Sequence, residues 1–528
     1  MNLDTSQLPD NIESLRAGLL TLAEEYSKLE LKNRHLEQQV RLLKNELFGR
    51  KSEKQPAKEH RDQLPLFNEA EAIADAGNVA EPEEITVDKH TRRKRGRKTL
   101  PEHLPRIEVI HDIDESEKTC PCGAALSRIG EDVCEKLDII PAKIRVLRHV
   151  RYKYACKRCE GTEGDGQTVK IAPPPPQMIP KGVATAGFLA HIITAKFEDA
   201  LPLYRQEKIF SRIGVDIGRA TMDNWMITAA GRCDPLIGLI DEEIRGGPII
   251  NMDETPVQVL KEPGRKNTAK SYMWVARGGP PEKPALRYQY HPTRAGHVPS
   301  DYLAGYEGYL QTDGYSGYEA LARRPAIRHV GCWAHARRNF HKVVKAGGGK
   351  AGTSHADQAL KKIADLYNVE HEADALQMTP VERGRLRQEK AVPLLLQFKQ
   401  WLVDLAAKSP PKGLLGKAVR YVLAHWELLF RYTEDGLIRP DNNLAENAIR
   451  PFVIGRKNWL FAGSPAGAKA AAALYSLIET AKANHLSPYW YLRYLFEHLP
   501  LARTREDHKN LLPQYVDKAA VEALAAAK

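Results

Sequence analysis

The chain has 528 residues, enough for about three domains, with 42% hydrophobic and 27% charged residues, as is ordinary for a soluble protein. A polar, acidic N-terminus without an apolar core excludes a secretory signal, and no run of about 18 apolar residues supplies a membrane span. The net charge of +11 favours a polyanionic partner, nucleic acid above all.

The first predicted element is a helix over residues 12 to 48, whose apolar side chains recur at alternating intervals of four and three. Asn33 occupies one a position among apolar neighbours, which favours a parallel two-stranded coil in a single register. We therefore predict a leucine zipper that forms a homodimer, with a surface helix packed on its own domain as the alternative. Leucine occupies every d position: Leu15, Leu22, Leu29, Leu36 and Leu43.

A flexible linker is predicted over residues 50 to 100, because residues 68 to 88 hold seven acidic residues and neither Lys nor Arg. The linker ends in a basic run that suits contacts with DNA phosphates, and its Arg-Gly-Arg segment suits a minor groove. The alternative is an exposed charged tether. Six basic residues make up the run: Arg92, Arg93, Lys94, Arg95, Arg97 and Lys98.

Five of the seven cysteines lie between residues 120 and 159, within a predicted module of residues 101 to 172. Two close pairs, Cys120 with Cys122 and Cys156 with Cys159, are typical of a closed tetrahedral site for structural Zn²⁺. Cys134 is a spare that could replace one of them, and reduced buried thiols are the alternative. The run from residue 143 to 155 between the pairs is strand-like and basic.

A helical region is predicted over residues 177 to 240. One helix ends near Gly214, a predicted C′ glycine, and a short polar helix with Arg219 follows it. This order resembles a helix-turn-helix that would place Arg219 on DNA, although generic helix packing would produce the same pattern.

Five strands are predicted next, near residues 248–260, 271–276, 285–290, 308–312 and 328–333. The first contains Asp253, and the fourth ends on Asp313. Three meandering strands, a fourth with an acid at its end and a fifth after a helix are the order of a ribonuclease H-like α/β core, in which the two acids lie side by side.

Glu446 is the candidate for a third acid on a later helix. Hard Mg²⁺ prefers carboxylate and water ligands, and two such ions about 4 Å apart activate the attacking oxygen and stabilise the leaving one in phosphoryl transfer. The competing interpretation is a capping box with Asn443 as the N-cap. Glu254 and Glu479 remain alternative ligands to Asp253 and Glu446.

At this point the motifs resemble those of the insertion-sequence 66 family of DDE-type transposases, nearly from end to end. The resemblance rests on LFGRKSEK at 47–54, QLPLF at 63–67, IGED at 129–132 with the cysteine pairs, DETP at 253–256, LQTDGYSG at 310–317, CWAHARR at 332–338, DNNLAE at 441–446, GRKNWLFAG at 455–463 and SLIETAK at 476–482. It implies that Asp253, Asp313 and Glu446 are the catalytic triad and bind Mg²⁺ or Mn²⁺.

The resemblance also favours DNA contacts by Arg337 and Arg338, with support of the metal site as a second role beside His335. Arg456, Lys457 and Trp459 would hold DNA through charge and stacking. The interval between Asp313 and Glu446 exceeds a bare ribonuclease H core and predicts a helical insertion over residues 346 to 435.

The expected protein is a multidomain α+β DNA transposase of the bacterial cytoplasm, associated with the nucleoid. It would bind terminal inverted repeats and target DNA, possess two Mg²⁺ and a structural Zn²⁺, and work with accessory proteins of its element. The rivals are a zinc-containing DNA-binding regulator and a ribonuclease H-like nuclease without strand transfer. Predicted boundaries are 1–49 zipper, 50–100 linker, 101–172 zinc module, 177–240 helical region, 245–345 and 436–500 core, 346–435 insertion and 501–528 tail.

Overall fold

The computed structural model describes residues 12–48, 144–155, 169–171, 173–347 and 354–526. The chain divides into two compact units, residues 1–78 with 176–528, and residues 79–175. The basic run from Arg92 to Lys98, the four cysteines predicted to bind zinc and Cys134 lie outside the described residues.

The N-terminal helix α1 spans Ile12–Phe48, as the heptad pattern predicts. Its leucines at d positions face solvent: Leu22, Leu29 and Leu36 are exposed to 55%, 66% and 49%. Asn33 is exposed as well. Although α1 touches a later helix of the same unit, these leucines are not buried there, which leaves their pairing with another helix as a prediction.

In the smaller unit, β1 (Lys153–Ala155) pairs antiparallel with β2 (Val169–Ile171). The strand-like run predicted from residue 143 is therefore too long, since residues 144–152 are described without helix or strand. Apolar residues of that run, such as Val146, are exposed and not buried in a sheet.

Between residue 173 and the main sheet the structure describes four helices. Gly214, at a φ of +81°, follows the second helix as a C′ glycine in the left-handed region that L side chains disfavour. A strongly apolar first helix and the buried faces of the others join the main hydrophobic core. The helices are α2 (Ala186–Phe197), α3 (Leu203–Arg212), α4 (Arg219–Arg232) and α5 (Asp234–Arg245).

The main sheet has the order β5-β4-β3-β6-β7, with the two-residue β8 pairing with β3. The first three strands form an antiparallel meander, while β6 and β7 run parallel to β3. This is the strand order that the sequence predicts. The strands are β3 (Ile249–Val259), β4 (Lys270–Gly278), β5 (Ala285–His291), β6 (Gly308–Gln311), β7 (Ile327–Val330) and β8 (Phe461–Ala462).

Helices cover the sheet, and one of them also covers its edge strand. In α15, Ser476 Oγ accepts from the Tyr288 amide at 2.8 Å and Thr480 Oγ1 from the Leu286 amide at 3.0 Å. Those backbone groups of β5 would otherwise be unpaired at the edge. The helices here are α6 (His297–Tyr302), α7 (Glu319–Ala322), α8 (Trp333–Gly347), α14 (Asn443–Trp459), α15 (Pro465–Ala483), α16 (Pro488–His498), α17 (Arg505–Lys509) and α18 (Lys518–Ala526).

Between α8 and α14, helices fill residues 355 to 430 and pack around a second hydrophobic cluster. The sequence Thr379-Pro-Val-Glu382 has the spacing of a capping box with Pro at the first helical position, and the box is present, with the Thr379 amide donating to Glu382 Oε2 at 2.8 Å. These helices are α9 (His355–Ala375), α10 (Pro380–Leu386), α11 (Val392–Lys408), α12 (Leu414–Ala424) and α13 (Trp426–Phe430). None of the helices described is long and apolar enough to cross a membrane.

Candidate active site

The register of two parallel strands brings the two aspartates together. Asn251 of β3 lies opposite Gln311 of β6, and each is followed two residues later by an acid, Asp253 or Asp313. Neighbouring strands are about 4.8 Å apart, so equal steps along both place the acids side by side. Asp313 lies just beyond the end of β6, where its Oδ1 accepts from the Tyr315 amide at 3.0 Å.

Glu446 lies in the first turn of α14, and the capping-box interpretation of it is wrong. The helix begins at Asn443, so Asn442 and not Asn443 is the N-cap. The Asn442 side chain is bonded elsewhere, donating from Nδ2 to the Met252 carbonyl at 2.8 Å. The Glu446 carboxylate contacts Arg338 at 3.3 Å instead of the helix backbone.

Two of the three carboxylates have pKa values that burial and neighbouring charges raise. Burial, together with the charges of Glu254, Glu446 and Asp313, raises the pKa of Asp253 well above its usual range. Burial also raises the pKa of Glu446, although Arg338 opposes the rise and Asp313 adds to it. Glu446 Oε1 is buried and has no hydrogen-bond partner among the residues the structure describes. Clustered carboxylates with an unused buried oxygen fit a hard divalent cation such as Mg²⁺.

Arg338 and His335 of α8 support Glu446. Arg338 Nη1 lies 2.9 Å from His335 Nε2. Arginine can only donate, so His335 accepts at Nε2 and bears its proton on Nδ1, which faces Glu446 Oε1 at 3.6 Å. Burial, followed by the charge of Arg338, lowers the pKa of His335 to about 3, which keeps the ring neutral.

Cys332 was not singled out by the sequence, yet its sulfur lies close to this pair. The possible ligand atoms of Cys332, His335 and Glu446 all lie within 4.8 Å of one another. A metal bound to all three is disfavoured because burial raises the pKa of the thiol, His335 has its proton on Nδ1, and Arg338 adds a positive charge.

Both rival carboxylates are already engaged. Glu254 Oε1 accepts from Arg294 Nε at 2.7 Å, and its Oε2 accepts from the Tyr318 hydroxyl at 2.7 Å. Glu479 of α15 pairs with Lys482 at 3.1 Å. Asp253 and Glu446 therefore remain the candidate ligands, with both carboxylate oxygens of Glu254 already bonded to other side chains.

The remaining predicted DNA-binding residues lie in different places. Arg219 is exposed at the start of α4, where its amide donates to Glu207 Oε1 at 3.1 Å. Arg456 donates to the Thr255 hydroxyl at 3.0 Å and to the Pro256 carbonyl, which ties the end of α14 to β3. The half-buried Trp459 ring makes a T-shaped contact with Phe452, with 5.4 Å between the ring centroids.

Arg337 of α8 is half-buried and Lys457 of α14 is also half-buried. Both have partners within the chain.

Comparison with known families fits this arrangement. The profile described as Transposase IS66 family matches residues 181–470, more than half of the chain. The chain belongs to the IS66 transposase family. Three further IS66 profiles match this transposase: a zinc-finger binding domain at residues 117–160, a "Transposase C of IS166 homeodomain" at 35–109, and an IS66 C-terminal element at 476–514.

Relatives of this IS66 transposase cover nearly its whole length. The uncharacterized protein y4jD of Sinorhizobium fredii is 33% identical over 97% of this chain and 98% of its own. The proteins y4qI and y4hP of the same organism are 32% and 31% identical, over 92% and 86% of this chain and 94% and 83% of theirs. The expected zinc-finger module and a transposase role with DNA as partner are confirmed at this level.

Proposed function

We propose that this IS66 transposase binds the terminal inverted repeats of an insertion sequence and catalyses metal-dependent DNA end cleavage and strand transfer. The observation that supports the proposal is the convergence of Asp253, Asp313 and Glu446 from β3, the end of β6 and α14. The sheet order supports a ribonuclease H-like core, in which acids at these places form the active site.

Asp253, Asp313 and Glu446 would hold the two divalent cations, Mg²⁺ or Mn²⁺. These ions supply Lewis-acid activation of the attacking oxygen and charge stabilisation of the leaving oxygen. Water is the proposed nucleophile for end cleavage, which breaks a phosphodiester and leaves a 3′-hydroxyl on the element end. That hydroxyl would then attack a target phosphodiester, forming a bond to the target 5′-phosphate and releasing the target 3′-hydroxyl. Arg338 limits the freedom of the Glu446 side chain through Oε2, while Oε1 remains available to a ligand.

The other parts of the chain would bind and assemble the DNA. Cys120, Cys122, Cys156 and Cys159 are the proposed ligands of a structural Zn²⁺. The solvent-exposed leucines of α1, with Asn33 and Leu43, would pair two copies. We propose that DNA is held by the basic run from residue 92 to 98, by Arg219 and by Arg337, Arg338, Arg456 and Lys457.

Strand transfer by the purified full-length protein tests this proposal. A labelled, pre-cut inverted-repeat end is mixed with a plasmid target and Mg²⁺ or Mn²⁺, for wild type, Glu446→Gln and Glu479→Gln. The last is a matched control, because it neutralises the rival carboxylate on α15. Joined product from wild type and Glu479→Gln, but not from Glu446→Gln, is expected.

Other results would favour different functions. Cleavage of uncut ends without joining would indicate a nuclease. End binding without either reaction, even after the neighbouring gene products of the element are added, would indicate a regulator.

A further inference from the structure

Three buried amide side chains lie behind the acids, one on each of the elements that carry them. Asn251 is on β3, Gln311 is on β6 and Asn442 is the N-cap of α14. Their exposed fractions are 4%, 1% and 1%. Burying an amide side chain costs free energy unless its hydrogen bonds are made. An apolar side chain would fill the same space without this requirement, so the three amides need a specific explanation.

Hydrogen bonds join the three amides into one unit, the amide cluster. Asn251 Nδ2 is its centre, donating to Gln311 Oε1 at 2.9 Å and to Asn442 Oδ1 at 3.1 Å. The outer amides extend the unit into the backbone. Gln311 Nε2 donates to the Arg439 carbonyl at 2.7 Å, and Asn442 Nδ2 donates to the Met252 carbonyl at 2.8 Å.

Each amide has a fixed relation to an acid. Asn251 and Asp253 are two residues apart on β3 and share a face of the strand. Gln311 precedes Asp313 by the same step on the paired strand. Asn442 lies four residues before Glu446, whose amide donates to the Asn442 carbonyl at 3.1 Å. The cluster therefore links the three backbones two residues before Asp253 and Asp313 and four residues before Glu446.

Repulsion between the three carboxylates explains why the amide cluster is needed. Carboxylates on three neighbouring elements repel one another when no cation lies between them, and this repulsion pushes β3, β6 and α14 apart. The direct pairing of β3 with β6 spans only Ile249 to Asn251. Leu or Met in place of the three amides would leave the Arg439 and Met252 carbonyls without these donors, so the cluster also contributes to stability. Its central hydrogen bonds, from Asn251 to Gln311 and to Asn442, join one acid-bearing element to another.

We propose that Asn251, Gln311 and Asn442 are positioning residues that hold Asp253, Asp313 and Glu446 at metal-binding separation. The inference rests on the proposed function, because it assumes that these acids bind divalent cations. The amides act through the backbone of β3, β6 and α14 and do not themselves touch the substrate.

Binding of Mn²⁺ to the full-length protein, measured by electron paramagnetic resonance of the free ion, tests the proposal without an activity readout. Asn251→Leu leaves Gln311 Oε1 and Asn442 Oδ1 without their donor, and Gln311→Met removes one arm of the cluster. Asn484→Leu is the matched control. Asn484 is equally buried, and its Nδ2 donates to the Pro284 and Thr480 carbonyls, both at 2.8 Å.

Asn251→Leu and Gln311→Met are expected to weaken Mn²⁺ binding roughly 10–100-fold, the usual effect of losing groups that orient metal ligands. Asn484→Leu should bind as wild type does. Wild-type Mn²⁺ affinity in Asn251→Leu, or equal weakening in Asn484→Leu, would overturn the proposal. If Asn251→Leu does not fold by circular dichroism, Gln311→Met decides, and wild-type affinity in that variant is the overturning result.

The Asp313→Asn variant distinguishes a failure of the proposed metal site from a failure of the positioning role alone. If this variant binds Mn²⁺ as tightly as wild type, the metal site of the proposed function is refuted, and the positioning role with it. If Asp313→Asn loses the ion while both amide variants retain it, only the positioning role is refuted.

Discussion

Neutralising Asp253 should stabilise the protein when no divalent cation is added. Burial and the charges of three neighbouring acids raise the pKa of this carboxyl in the folded state. Between the ordinary pKa of an aspartate and the raised one, the folded protein binds more protons than the unfolded chain, so stability falls as the pH rises through that window. Asp253→Asn removes this loss.

The magnitude follows from the spacing of the strands. Two unit charges about 5 Å apart at an effective dielectric constant near 20 repel by roughly 3 kcal/mol. Partial exposure of the site to solvent reduces this, so a gain of about 1–3 kcal/mol is expected, or roughly 2–6 °C in Tm for a large domain.

Thermal unfolding in buffer without added divalent cations measures the effect at pH 8 and pH 4. Asp253→Asn should unfold at a higher temperature than wild type at pH 8. The difference should shrink at pH 4, close to the ordinary pKa of an aspartate, because the carboxyl is then protonated in the folded state and about half protonated in the unfolded chain. Asp404→Asn, an exposed acid of α11, is the control and should change little. A lower Tm for Asp253→Asn at pH 8, or an equal gain at both pH values, would refute the reasoning.

Three further predictions concern Arg338, the ion pair of Glu254 with Arg294, and the N-terminal helix α1. Arg338→Gln should reduce strand transfer roughly 10–100-fold by freeing Glu446 and His335, and this loss should exceed the weakening of end binding in a gel shift, because Arg338 is also a proposed DNA contact; a loss of strand transfer no larger than the loss of end binding would mean that Arg338 does not orient Glu446. Arg294→Gln should lower stability by about 1–3 kcal/mol, because it leaves the buried carboxylate of Glu254 without its cation; chemical denaturation measures this, and unchanged stability would argue that the pair is not structural. Leu29→Glu should convert a dimer into a monomer in sedimentation equilibrium, whereas Leu20→Glu, equally exposed but outside the a and d positions, should not; a dimer in both variants would exclude the zipper.

Periodic and local signals in the sequence predicted the elements of this fold well. The heptads gave α1 its observed limits, and the branched runs with their turns gave the strand order that brings Asp253 beside Asp313. The capping box at Thr379 was likewise readable, because both partners lie within four residues.

Local and periodic sequence patterns could not predict contacts between residues that lie far apart along the chain. The spacing of Asn443 and Glu446 matches a capping box, but Asn442 takes the N-cap position because its side chain is held by residues about 190 positions earlier in the chain. The amide cluster could not be predicted for the same reason, because its members lie far apart along the chain and each is an isolated polar residue in the sequence. The contact between the rings of Trp459 and Phe452 was likewise not predicted from the sequence.

Anomalous diffraction from crystals soaked in Mn²⁺ tests the central claim most directly, because it locates the ion without assuming a reaction. Peaks are expected among the carboxylates of Asp253, Asp313 and Glu446, and soaks of Asp313→Asn crystals should lose them. A peak on Glu254 or Glu479, or peaks that persist in Asp313→Asn, would contradict the assignment of these three acids as the metal-binding triad.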